Sequence, residues 1–170
     1  MKDNHKRNHW ILIGILLLAS MCGCSKEVKQ KEVEVHEDPY VTETSSKPLI
    51  DTVDLTFTVT QPVTSDYHVA YTCTCVVDET GKLNPDAGLA VRTSVMKKDT
   101  VLADDSNHTG IANLDNELSV NEQGQLVLQT AVSYDEDDSD IKFHYLKFIT
   151  FSVEEKDGTY TIHMEEARSA

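Results

Sequence analysis

From Asp51 onward, apolar and polar residues alternate with a period of two, the pattern of strands with one buried and one wet face. Val53, Leu55, Phe57 and Val59 alternate with Asp54, Thr56, Thr58 and Thr60 until Pro62 ends the run. Tyr67, Val69, Tyr71, Cys73, Cys75 and Val77 then share one face of a second long strand, with His68, Thr72 and Thr74 on the other. The stretch Asp78-Glu79-Thr80-Gly81-Lys82 closes a hairpin, Gly81 supplying the positive φ of a short loop. Similar punctuation recurs at Asn121-Glu122-Gln123-Gly124, ahead of a strand carrying Leu126, Leu128, Val132 and Tyr134. It recurs again at Glu155-Lys156-Asp157-Gly158, between Ile149, Phe151 and Val153 and a strand with Tyr160, Ile162 and Met164. Leu89 to Met96 reads as a further strand, while Thr100 to Ala103 and Ile111 to Leu114 carry weaker signals. Asn113 to Leu118 is compatible with a short helix as well as with a strand.

About seven short strands rich in Val, Thr and Tyr predict an all-β protein, an antiparallel two-sheet sandwich of immunoglobulin-like kind, with a small closed barrel as the alternative. The immunoglobulin Cys, Trp and Cys hallmark is absent, because the single Trp is Trp10. The layout resembles the disulfide-free Ig-like domains that many bacterial surface lipoproteins carry after a linker. Phe57, Tyr67, Tyr71, Phe143, Tyr145 and Phe151 fall on the inward registers. On the opposite side of the longest strand, Leu146 and Phe148 form either a second buried layer or an exposed binding patch.

The first residues follow a different pattern. Lys2, Lys6 and Arg7 precede an apolar run from Trp10 to Ala19, which gives way to small residues and a cysteine. That is the layout of an export signal, and the run falls short of the roughly 20 apolar residues a spanning helix needs. Met21-Cys22-Gly23-Cys24 resembles the lipobox of bacterial membrane lipoproteins. The resemblance implies that residues 1–23 are removed and that Cys24 receives a diacylglyceryl thioether. An ordinary cleaved signal with an incidental cysteine is the competing expectation. Residues 24–49, rich in Lys, Glu, Val, Thr and Ser with Pro39 and Pro48, then read as the lipidated cysteine and a flexible linker. As a random coil that linker would span roughly 25 to 30 Å. Residues 50–166 form the expected β-sandwich domain and 167–170 a C-terminal tail.

Charge narrows the partners. The whole chain carries −14, and loss of residues 1–23 takes away Lys2, Lys6, Arg7 and Asp3, leaving about −16. Such a surface repels nucleic-acid phosphates and anionic headgroups, so no nucleic-acid partner is expected. The lipobox resemblance implies that the membrane is reached through the lipid at Cys24, on the extracytoplasmic face of a bacterial cell. The expected partner is another envelope protein or a glycan.

Catalytic chemistry finds little support in the chain. It has no Gly-Xaa-Ser-Xaa-Gly elbow, no paired-His metal motif and no phosphate-cradling Gly loop, which points away from an enzyme. Cys73 and Cys75 lie two apart on one strand, with side chains roughly parallel, which opposes a bond between them and suits small buried residues. The acidic run from Asp135 to Asp140 is a candidate for a hard cation, with Asp135, Asp137, Asp138 and Asp140 as ligands to a weakly held Ca2+; Asp105 to Gly110 also has oxygen donors at alternate positions, and neither stretch completes an EF-hand loop. A second acidic stretch, Asp104 to Asn107, would have to meet it in space for a calcium-dependent accessory or enzymatic module.

Overall fold

The computed structural model describes residues 29–106, 113–136 and 139–170; Cys24, Asp137 and Asp138 lie outside them. Ten strands follow in chain order: β1 (Lys31–Val33), β2 (Tyr40–Pro48), β3 (Val53–Pro62), β4 (Tyr67–Val77), β5 (Ala90–Lys97), β6 (Thr100–Asp104), β7 (Asn113–Val120), β8 (Leu126–Tyr134), β9 (Ile141–Lys156) and β10 (Thr159–Ser169). They form two five-stranded sheets. One is the meander β2-β3-β4-β5-β6. The other is built around β9, with β8 and β7 on one side and both β1 and β10 on the other. The sheets are not closed into one another, so the fold is a β-sandwich and the barrel alternative falls away.

Alternation in the sequence becomes alternation in burial. In β3 and β4 every apolar residue of the inward set, from Val53 to Val77, is buried, while Thr56, Thr58, Thr72 and Thr74 between them are partly or fully exposed; Thr60, near the end of β3, is buried. At the centre Phe57 of one sheet meets Phe151 of the other edge to face, ring centroids 5.3 Å apart. Phe57, Tyr67, Tyr71, Phe143 and Phe151 are buried as expected, and Tyr145 is half-buried. The Tyr145 phenol joins a hydrogen-bonded group across the sandwich, 2.5 Å from the Tyr71 hydroxyl, which accepts a 2.6 Å bond from Thr130 Oγ1. Burying polar atoms between apolar sheets costs little only when they satisfy one another, as these do. The β9–β10 turn shows local chemistry agreeing with the ladder: Asp157 and Gly158 adopt φ of 52° and 78°, as a two-residue hairpin loop of the primed type requires.

Several expectations are corrected. The strands number ten, not about seven, and one pairing is parallel: β1 lies beside Ile141–Phe143 of β9. β1 and β2 fall inside the stretch expected to be a flexible linker. β2 is an exposed edge strand held by its backbone ladder to β3, with a bulge between Val41 and Glu43, so it lacks the buried face that betrays a strand in sequence. The expected tail is also strand as far as Ser169, where Arg168 pairs with Phe148 and Ser169 with Lys147. Asn113 to Leu118 belongs to β7, with Leu118 buried, and is not helical.

Between β1 and β2 the chain crosses from one sheet to the other over residues 34–39. Buried Pro39 and the Glu37 carbonyl fix that crossing. Glu37 O accepts from Gln61 Nε2 at 2.8 Å and from Lys147 Nζ at 2.9 Å, and Lys147 Nζ also donates to Gln61 Oε1 at 2.9 Å.

Candidate functional site

Two residues of the acidic run, Glu136 and Asp140, are engaged in holding the fold. Asp140 Oδ1 accepts the Tyr67 hydroxyl and a 3.4 Å bond from Lys97 Nζ, which also lies 4.9 Å over the Tyr67 ring. The Tyr67 bond, reinforced by a backbone bond and the Lys97 charge, holds the Asp140 carboxyl below the usual carboxylate range. Glu136 Oε2 accepts from Tyr134 at 2.8 Å, and its carbonyl accepts from Gln30 Nε2 and from Ser139 N. Of the proposed ligands, Asp140 is therefore committed to Tyr67 and Lys97, Asp135 is half-buried, and Asp137 and Asp138 lie outside the described residues. The second acidic stretch is anchored elsewhere. Asp105 Oδ2 accepts the Thr93 backbone N–H at 2.6 Å, and Asp104 Oδ1 accepts from Ser106. Thr93 and Lys97 are four residues apart along β5, a step of about 13 Å, so the two acidic stretches are pinned at separate points. Among the described residues, no three or more His, Cys, Asp or Glu side chains converge as a metal site would need.

Cys73 and Cys75 are fully buried on the inner face of β4, each without a partner thiol. Burial pushes both thiols up to about 12, so neither has the thiolate character of a nucleophile or metal ligand at neutral pH.

The outer face of β9 carries the expected apolar pair. Leu146 is 38% exposed and lies opposite Ala131, with no second layer over it among the described residues. Phe148 lies opposite Gln129 and is half-covered by the Arg168 guanidinium, 5.6 Å from the ring centroid. The patch is open but small.

A second open surface lies on the outer face of the other sheet, where sequence reading saw only wet strand positions. Thr56 of β3 is registered against Thr74 of β4, and Thr58 against Thr72, so two Thr-Xaa-Thr runs become a four-hydroxyl grid. Neighbouring strands and alternate residues set its spacing, about 4.8 Å by about 6.7 Å. The next strand adds Ala90 opposite Thr74 and Arg92 opposite Thr72. The connection into β5 folds back on the sheet at Gly88, where an added Cβ would sit 2.2 Å from Val76 Cγ2. Because only a residue without a side chain can lie there, at φ +76°, the loop packs flat and Leu89 forms a wall. The result is an open hollow of about 570 Å³, floored by Thr56, Thr72 and Thr74 and flanked by Asp54 and Arg92.

Elsewhere hydroxyls are engaged within the chain: Thr64 and Ser139 bond backbone groups, and Thr80 and Ser106 donate to the carboxylates of Asp78 and Asp104. The hydroxyls of Thr56, Thr72 and Thr74 make no hydrogen bond among the described residues, and Asp54 and Arg92 form no ion pair there. The signal that could have disclosed the site was the recurrence of Thr-Xaa-Thr in two strands joined by one short connection. Register and the Gly88 loop were not readable.

Comparison with known proteins finds no relative: no family model matches the chain, and no curated protein or solved structure matches it significantly.

Proposed function

We propose that this chain is a lipoprotein of the bacterial cell envelope, anchored through Cys24 on the extracytoplasmic face, whose β-sandwich is a non-catalytic binding module for an envelope protein or a glycan. The observation that carries the reading is the ordered run of basic lead, short apolar segment and Met21-Cys22-Gly23-Cys24 ahead of an all-β body. The body supports it in a second way. Among the described residues Asp140 and Lys147 are tied into the fold, Cys73 and Cys75 are buried, and uncommitted polar groups such as Thr72, Asp54 and Arg92 sit on an open sheet face. This distribution suits recognition better than proton transfer.

β1 begins at Lys31, so only residues 25–30 separate Cys24 from the sheet, a reach of at most about 25 Å. On this reading the domain rides close above its membrane instead of on a long stalk. Mass spectrometry of the mature protein tests the anchor: an N-terminal peptide starting at a diacylglyceryl-modified Cys24 is expected, and Cys24→Ala should release the protein from the membrane fraction. An unmodified N-terminus at another residue would refute the proposal.

A further inference from the structure

We propose that the hollow on the outer face of β3, β4 and β5 is a site for a neutral saccharide, an inference that rests on reading the chain as an exported binding module. Four observations lead there. The floor presents uncommitted hydroxyls, each able to donate one hydrogen bond and accept two, which matches the alternating donor and acceptor demand of sugar hydroxyls. Asp54 and Arg92 stand at opposite margins without partners, an acceptor-only and a donor-only group of the kind that fixes a diol in one orientation. Val76, Leu89 and Ala90 give the apolar footing that the C–H face of a pyranose needs. The volume of about 570 Å³ falls within the range of small-molecule sites and holds about one or two sugar rings.

The alternatives fit less well. A peptide laid on a sheet draws its affinity from backbone hydrogen bonds at an open edge. Here β3 and β4 are paired on both sides through the whole floor, and β5, which pairs with β6 only from Ser94 to Lys97, has its unpaired edge at Ala90 to Arg92 on the side away from β4, so that only side chains face the floor of the hollow. A polyanion meets one guanidinium offset by the Asp54 carboxylate, on a chain of net charge −14. An uncharged polyol is the ligand class left with complementary groups. The hollow also lies toward the Asp54 end of the sheet, whereas the N-terminal segment joins the body at the opposite end, where Gln30 bonds Glu136. A glycan would therefore approach from the side away from the anchored end.

The test uses the full-length lipidated protein in detergent micelles, titrated calorimetrically with neutral gluco-, manno-, galacto- and xylo-oligosaccharides and with oligogalacturonate. At least one neutral oligosaccharide should bind with a dissociation constant at or below the millimolar range. Thr72→Val and Arg92→Gln, which remove the polar groups and keep the strand backbone, should each weaken that binding about tenfold or more, while Ser119→Ala at an exposed position of the other sheet should leave it unchanged. No neutral oligosaccharide bound, oligogalacturonate preferred, or binding indifferent to Thr72→Val and Arg92→Gln would each overturn the assignment. Mass spectrometry of the same preparation separates the two claims. A lipid-bearing Cys24 with no sugar binding rejects the saccharide site alone, and an unlipidated, non-exported chain rejects the broader reading.

Discussion

Lys147 reaches across the sandwich to donate 2.9 Å hydrogen bonds to the carbonyl of Glu37 and to Gln61 Oε1, and so fastens the crossing between β1 and β2 to the centre of β9. Lys147 is 4% exposed and both hydrogen-bond acceptors are neutral, so the cation is bonded to dipoles and not paired directly with a carboxylate. Burial lowers its proton affinity, with the Asp38 charge opposing that effect. A base whose folded pKa lies below its unfolded value costs stability at neutral pH, and the cost is relieved as pH rises toward 10.5. Gln61→Ala, which removes one of the two acceptors, should destabilise the fold by about 2 to 3 kcal/mol. Lys147→Met, which removes the buried charge while keeping volume, should cost less than Gln61→Ala, as chemical denaturation of the two variants would measure.

Cys73 and Cys75 give alkaline pH the opposite sign. Burial raises each thiol from 9.0 to about 12, so the stability they contribute is complete below pH 9 and is lost as pH climbs from 9 toward 12. Tyr71 and Tyr145, both raised by burial, add to the loss above pH 10. Thermal melts should show a falling midpoint from about pH 9, and Cys73→Ala with Cys75→Ala should flatten the part between pH 9 and 10. A native protein whose thiols react rapidly with a disulfide reagent at pH 8 would contradict this.

Phe57→Ala removes one half of the edge-to-face contact with Phe151 at the centre of the sandwich. The loss expected is about 3 to 5 kcal/mol, seen as a lower denaturant midpoint at unchanged slope.

Two glycines at similar φ separate strain from crowding. Gly124, at φ +75°, has nothing within 4 Å of an added Cβ, so Gly124→Ala should cost only the left-handed penalty of about 1 to 2 kcal/mol. Gly88, at φ +76°, would drive a methyl into Val76, and Gly88→Ala should cost clearly more and lift the 84–89 loop from the sheet. Crystal structures of the pair, with unfolding free energies, would check both parts.

How much of this was legible follows from which residues touch what. β3, β4, β8 and the central part of β9 declared themselves because each buries alternate apolar side chains, and the Gly81, Gly124 and Gly158 turns carried the positive φ their hairpins need. β2 stayed hidden because its residues face solvent and its bonds to β3 run through the backbone, which composition does not encode. β1 was too short to show a period. Leu146 and Phe148 were found because apolar residues on a polar side stand out, whereas Thr56, Thr72 and Thr74 looked like ordinary wet positions. Only strand register turns those hydroxyls into neighbours, and only the backbone path at Gly88 gives the grid a wall.

Because β1 and β10 occupy successive lengths of one margin of β9, a pull on the N-terminal segment enters the body through the three register pairs of β1. It loads them in shear, and once they slip the load passes along residues 34–36 to the Lys147 fastening at Glu37. The first strand is thus the contact placed to yield first under such a pull, ahead of the sandwich behind it.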